Sequence, residues 1–434
     1  MPEKSHAKPM VETRIKAVET GAGLQGAIKL RRSASPGPRP ARRYVEDGQG
    51  ASNRTPRQIN RDLVFNQIRT RQPISRADLA RVSGLQRSTI SSIVEELIVD
   101  TWVIESAMGE SPRGRKPTHL AVNSNKAVIA VDIHPAQTTV AVADLSGNIR
   151  SERRLDLPSD PEQVISAIVR AVSELVDSNP QSAFLGIGVT LPGRFSRKLD
   201  KAIFAPNVAW PIADVKPRLE EAIHLPVAAD NVANACAISE VWFGYSDANS
   251  DLVAVNVSEG IGTGIYANGR LLRGERDGAG EFGHVQVDPA GPQCGCGSRG
   301  CWETVSSNRA ALRYYEQASG QRPASFDAIL ELALGQDAFA LQAIAQMSHA
   351  LGRGMQMIVA ALAPSEIVVV GELTQMWSFA EPIILSELRS FPLIEVPRLR
   401  MPAEPDRARL RSAVALVMND RSVLLKANLA SSVV

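Results

Sequence analysis

The run from Asp277 to Glu303, DGAGEFGHVQVDPAGPQCGCGSRGCWE, constrains this chain more than any other stretch. It gathers His284 with Cys294, Cys296 and Cys301, three of the four cysteines. Three thiolates and an imidazole make a complete tetrahedral set for zinc, with no fourth position open to water, so such a site is structural rather than catalytic. Gly291, Gly295, Gly297 and Gly300 suit the tight backbone that Cys-x-Cys needs to reach one ion. The competing account is a cluster of ordinary buried thiols, or a disulfide in a secreted chain. The opening MPEKSHAKPM is charged and lacks the apolar segment of a secretory leader, which favours reduced thiols.

No apolar run approaches the roughly 20 residues needed to span a bilayer. A hydrophobic content of 44% over 434 residues suits two or three globular domains. The expectation is a soluble, cytoplasmic protein with no membrane partner. The net charge of +2 conceals an asymmetry: residues 1–120 carry 21 basic against 12 acidic side chains, and the remainder 27 against 34. A basic front on an acidic body places a polyanion-binding surface first.

Residues 1–55 have few large apolar side chains in periodic order, and RRSASPGPRPARR is rich in Pro, Ser and Arg, so a disordered basic tail is expected. From residue 56 to 121 the pattern changes. Ile59, Leu63, Val64 and Ile68 recur at helical spacing over 57–71, and Pro73 ends that helix. A second helix is expected over 75–82 with Ser75 as N-cap, then a turn at Gly84. A third runs over 87–100 with Ile90, Ile93, Val94 and Leu97 inward. This is the order of a helix-turn-helix, whose last helix enters the DNA major groove. Gln86, Arg87, Ser88, Thr89, Ser91 and Ser92 lead that helix, with small hydroxyls and one Arg to reach phosphates and base edges. The segment WVIESAMGESPRGRKPTHLAV then reads as a hairpin wing, with Arg113, Gly114, Arg115 and Lys116 as a basic tip for a minor groove. The partner so implied is double-stranded DNA; a helical protein-interaction module is the alternative.

Residues 122–434 alternate strands with helices. AVIAVDI and TTVAVADLSGNIRSERRLDL read as antiparallel strands with a turn at Ser146, Gly147 and Asn148. An amphipathic helix follows over 161–176, then FLGIGVTL as a strand buried on both faces. The pattern restarts at DLVAVNV and GIGTGIYANG and closes with a helix over 351–362 running into EIVVVG. Two successive lobes, divided near residue 235, imply an α/β fold with a cleft between them.

EGIGTGIYANGRLLRG, GAGEFGH and the His284, Cys294, Cys296, Cys301 set closely resemble the ROK family, which groups sugar-responsive repressors with sugar kinases. The resemblance covers about residue 126 onward, while the preceding winged helix resembles the repressor branch only. It implies a two-lobed, actin-like ATPase-type fold, assembled as a homodimer or homotetramer, with one structural Zn2+ per chain. It also implies a sugar site at Glu281, His284, Glu303, Asn207 and Asn231. Carboxylates and amides make paired, directional hydrogen bonds to vicinal hydroxyls. Asn207 as a plain turn residue, or Glu303 as a helix N-terminal charge, are the structural alternatives.

Departures from the kinase branch cluster at the chemistry. Family kinases carry Asn-Asp-x-Asn, whose aspartate accepts the proton of the attacking hydroxyl. Here the run is Asn231, Val232, Ala233, Asn234, followed by Glu240, and Val232 accepts no proton. Asp230, two positions earlier, is expected to point elsewhere. The phosphate-cradling Asp-x-Gly-Gly-Thr turn is replaced by Asp132, Ile133, His134, Pro135, Ala136, and a Gly-Gly pair by Gly371, Glu372. No catalytic residue and no ATP are therefore expected. The composite expectation is a regulator, a repressor released from its operator by a sugar or sugar phosphate. The alternative is a sugar kinase that also binds DNA.

Overall fold

The computed structural model describes residues 56–108, 118–135, 137–158, 160–205, 208, 210, 212–244, 251–392, 395–420 and 422–424. The expected basic tail, the wing tip with Arg113, Arg115 and Lys116, and Asn207 lie outside the described residues.

Three helices come first, Pro56–Arg71, Arg76–Ser83 and Arg87–Val99. Val64, Phe65 and Ile68, then Leu79, then Ile90, Ile93, Val94 and Leu97 bury into one cluster because their helical spacing puts each set on one face. Ser75 caps the second helix through the Asp78 amide, and Gly84 closes it at φ +70°, a left-handed cap that favours glycine. The third helix starts and stops within one residue of its expected bounds. Strands Val103–Met108 and Thr118–Val122 pair antiparallel, and Ile74–Ser75 adds to the second of them, completing a three-stranded sheet. Helices and hairpin together form a winged helix-turn-helix.

Residues 123–125 lead directly into the body, which is built on two five-stranded sheets. The order in the first is Val227–Asn231, Ala183–Leu191, Lys126–Asp132, Thr138–Asp144, Ile149–Leu155. Its first two pairings are parallel and its last two antiparallel. The second runs Arg270–Leu272, Ile261–Ala267, Leu252–Val257, Glu366–Gly371, Arg398–Arg400. The central strands bury nearly every residue because both faces are covered, which is why they read as continuous apolar runs. Helices Pro161–Asp177 and Val215–Ile223 cover the outside of the first sheet. Helices Asn308–Ser319, Phe326–Leu334, Ala338–Leu362 and Trp377–Arg389 cover the second. The helix expected to start at Leu351 begins at Ala338, where the Asp337 carboxylate caps the Ala340 amide at 2.8 Å. Ala340, Ala343, Ile344 and Met347 continue its buried stripe toward the N-terminus.

Two helices lie between the sheets and pack on each other, Val232–Phe243 and Ala408–Asn419. The former lies on the second sheet, where Val232 and Cys236 meet Leu252 and Ala254. The latter lies on the first, with Ala413 and Val414 in one cluster with Val128 and Ala130. The lobes therefore interleave: a division near residue 235 leaves out the terminal helix, which returns to the first sheet. At its far end the Val232–Phe243 helix meets the winged helix. Phe65 sits edge-on to both Trp102 (5.1 Å) and Trp242 (6.2 Å), and Arg69 stacks over Phe243 at 5.4 Å. Among the described residues, no single helix is long and apolar enough to cross a membrane.

Candidate functional site

A cleft of about 930 Å3, its open mouth included, opens between the two sheets. The Glu281–His284 turn and Glu303 form one wall. This turn lies against strand Ile261–Ala267 so closely that a Cβ on Gly280, at φ +89°, would fall 2.2 Å from the Thr263 carbonyl oxygen. The glycine is what lets the wall reach the cleft.

Behind that wall the ligand atoms of His284, Cys294, Cys296 and Cys301 lie within 4.8 Å of one another. The Cys296 and Cys301 sulfurs are 3.7 Å apart, and Cys294 Sγ is 3.5 Å from His284 Nδ1. A tetrahedron with Zn–S of about 2.3 Å and Zn–N of about 2.0–2.1 Å has edges of roughly 3.8 and 3.6 Å, so the spacing fits zinc. Gly300 closes the loop, since a Cβ there would lie 1.5 Å from the Asp288 carbonyl oxygen. Burial pushes the Cys294 and Cys301 thiols up, so an ion entering this site has protons to displace.

His284 faces two ways. Its Nδ1 belongs to the cluster, and its Nε2 stands 3.8 Å from Glu281 Oε2 on the cleft side. Glu303, 6% exposed, has Oε1 3.0 Å from Cys294 Sγ and 3.7 Å from His284 Nδ1. Burial raises the Glu281 carboxyl above its ordinary range, against the pull of His284 and Arg194. Asn231 also lines the cleft, but its amide is engaged: Oδ1 caps the Ala233 and Asn234 amides, and Nδ2 donates to the Gly193 carbonyl. Four expected sugar contacts thus share one cavity, and Asn207 lies outside the described residues.

Val232 lines the cleft and is 4% exposed. Asp230 does point elsewhere: it is buried and forms an ion pair with Arg273. At the other end of the cleft, His134 Nε2 contacts Ser258 Oγ across the lobes at 2.8 Å. Arg409 holds Asp132 through two hydrogen bonds of 2.8 and 3.0 Å. Burial would raise the Asp132 carboxyl, but Arg409 outweighs it and the group is held below its usual value. Burial lowers His134, with Arg409 adding to the effect. Glu372 accepts from Asn308 Nδ2 at 2.9 Å.

Sequence reasoning missed Arg194, Asn256 and Arg409, all lining the cleft. Arg194 is the last residue of the LPGR turn and reaches Glu281 Oε1 at 3.5 Å, so an arginine beside a loop glycine was a usable signal. Arg409 carried none, because 277 residues separate it from its partner Asp132. On the winged helix, Gln86, Arg87, Ser88, Ser91 and Ser92 are exposed and Thr89 is half-buried. Ser92 accepts from Arg57 Nη2 of the first helix at 3.0 Å.

Two interleaved α/β lobes closing on a cleft, with three cysteines and a histidine clustered behind one wall, define a body of the sugar-kinase-like class, here preceded by a winged helix. The chain belongs to the ROK family, whose model matches residues 128–419. It is 31% identical to the xylose repressor of Bacillus spizizenii over 338 residues, 77% of this chain and 86% of that one. Among solved structures, a ROK family transcriptional regulator described as a homologue of the E. coli MLC protein is 26% identical with a TM-score of 0.69, covering 86% of this chain and 98% of the other. The ROK family glucokinase of Streptomyces griseus, solved with glucose and AMPPNP, is 27% identical with a TM-score of 0.63 and covers 68% and 100%. The regulators extend over most of the chain, and the kinase matches about two thirds.

Proposed function

We propose that this chain is a DNA-binding repressor that senses a sugar or sugar phosphate, works as a homo-oligomer, carries one structural zinc per chain and has no kinase activity. The observation that supports the reading is that Glu281, His284 and Glu303 line one wall of the cleft that Val232 also lines, at the position where the resemblance places a kinase's general base. Asp230 is tied to Arg273, which argues against it as a substitute. The loss of the glycine turn at His134 and Pro135 argues against bound triphosphate. Closure of the lobes on a sugar would alter the separation of paired winged helices, and operator affinity follows half-site spacing. Such a change requires that the sugar prefer one of the two conformations.

The test is operator affinity measured with a panel of free sugars and sugar 6-phosphates, D-xylose and D-glucose among them, on zinc-loaded protein. One sugar should shift the affinity, and Glu303→Ala should blunt that shift while sparing DNA binding. Arg115→Ala should weaken operator binding and flatten its salt dependence. Indifference to every sugar removes the sensing claim, and robust ATP-dependent phosphorylation removes the non-enzyme claim in favour of a bifunctional kinase.

A further inference from the structure

A short hairpin, strands Arg194–Ser196 and Lys201–Phe204, follows the LPGR turn of the first lobe. Ser196 pairs with Lys201 and Phe195 with Ala202, but Arg194 then pairs with Phe204, so Ile203 is an extra residue and the ladder carries a bulge. Side chains alternate along a strand, and in unbroken register Phe204 would share the inner face with Ala202. The bulge re-aims it. Phe195 and Ala202 lie in the core of the lobe, while Arg194 and Phe204 both line the cleft. Gly193, at φ +81°, permits the close return, since a Cβ on it would fall 2.1 Å from the Phe204 carbonyl oxygen.

The hairpin is pinned to the opposite wall. The Arg197 amide donates to Asp277 Oδ2 at 2.9 Å and Arg194 Nη2 to the Arg276 carbonyl at 3.3 Å. The Phe204 and His284 rings meet edge to face, their centroids 6.5 Å apart. Phe204 is nonetheless 37% exposed. Among the described residues Phe204 and Phe339 are the exposed phenylalanines, and Phe204 is the one that lines the cleft. Burial under a ligand would take its remaining surface out of water. Polar groups stand beside it: Glu281, His284 Nε2, and Arg194 Nε, which is buried without a hydrogen-bond partner among the described residues, 3.5 Å from Glu281 Oε1. A ring-form sugar divides the same way, with hydroxyls round its edge and C–H groups on its faces.

We propose that Phe204 is the apolar platform of the effector site: a C–H face of a pyranose lies on its ring while hydroxyls at the pyranose edge bond Glu281, His284 and Arg194. The ligand so defined is a sugar in closed ring form, and an open-chain polyol with comparable hydroxyls lacks the face that Phe204 covers. This rests on the sugar reading above and adds a specificity-determining residue and the form of the ligand.

Calorimetry on the full zinc-loaded chain tests it, comparing D-xylose with xylitol, and D-glucose and glucose 6-phosphate with sorbitol. The ring sugar that binds best should bind about tenfold or more tighter than its polyol, and Phe204→Ala should weaken that sugar about tenfold or more, the order expected of a lost aromatic contact. Phe204→Tyr and Phe204→Trp should stay within about threefold of the unmodified chain, because both keep a ring face. Phe204→Leu keeps apolar bulk against His284 without that face, and should fall with the alanine variant. In Phe204→Trp the bound sugar should also shield the new indole from acrylamide quenching, measured against the unmodified chain, which a purely structural role would not produce. Unchanged affinity in Phe204→Ala or Phe204→Leu, an unshielded indole, or a polyol bound as tightly as its ring sugar would each overturn the platform and leave sugar sensing intact. Binding of none of these ligands to the unmodified chain would overturn both.

Discussion

At the cysteine and histidine end of the cleft, polar groups are left facing the cavity: Glu281 is only loosely matched by Arg194 at 3.5 Å, and His284 presents Nε2 to the same space. At the other end they are turned on one another. Asp132 closes on Arg409, and His134 reaches across the lobes to Ser258. One end is a turn and a helix start, the other the ends of two strands and the terminal helix. An open end can exchange its contacts for those of a ligand at little structural cost, whereas an end whose charges are mutually satisfied holds the lobes together. The comparison separates a recognition surface from a structural one within one cavity.

The largest effect that would sharpen this contrast is on metal. Cys301→Ser should take zinc from about one ion per chain to none, read by elemental analysis, because structural zinc is bound with apparent free energies of about 10–16 kcal/mol in isolated peptides and three ligands do not hold it comparably. The loss should unfold the Asp277–Glu303 wall and leave the His134 end folded; retention of zinc would mean the ligand set is wrong. Next, Arg409→Ala should destabilise the chain by about 3–5 kcal/mol in urea, since it strands the buried Asp132 carboxylate. A cost below about 1 kcal/mol would break the idea that this end is structural.

Glu281→Ala should reverse that pattern. Stability should change by less than about 0.5 kcal/mol, while sugar affinity falls by about 1.5–3 kcal/mol, the range for a charged hydrogen bond. The pH dependence has a defined sign. Burial raises the Glu281 carboxyl above its unfolded value of 4.5. Its contribution to stability is therefore fully present below that unfolded value and lost as pH rises through the folded one. Sugar affinity runs the other way, falling on acidification earlier than for an ordinary glutamate. Smallest of all, Val232→Asp should restore little or no phosphoryl transfer, because the turn at His134 and Pro135 still lacks its phosphate cradle. Substantial turnover in a coupled assay would show that the base alone had been missing.

What could be read in the sequence was whatever rests on local spacing. The three leading helices were legible because their apolar positions repeat and because Ser75 and Gly84 mark the ends. The wall was legible because its glycines, histidine and cysteines fall within one run. Contacts made across the chain were not. Asp132 reads as part of a degraded turn, and only the fold brings Arg409 back onto it from the terminal helix. Asn231 is expected as a sugar contact from the resemblance, and its place at a strand-to-helix junction also makes it the cap of the following helix. The Ala338–Leu362 helix begins before its expected start although Ala340, Ala343, Ile344 and Met347 fall at helical spacing, because alanines at two of those positions give the stripe little hydrophobic contrast.

The helix that opens at the Asn231 cap, in the floor of the cleft, ends at Trp242 and Phe243 beneath Phe65 and Arg69 of the winged helix. No loop interrupts that path, and one hydrophobic cluster runs continuously from Val64 and Phe65 through Trp242 to Val128. Whatever free energy a ligand in the cleft takes from DNA binding along this path, DNA must take equally from the ligand. A protein resting on its operator would then answer to a higher concentration than the same protein free in solution. Titrations performed without DNA would overstate its sensitivity by the same factor that defines its regulation.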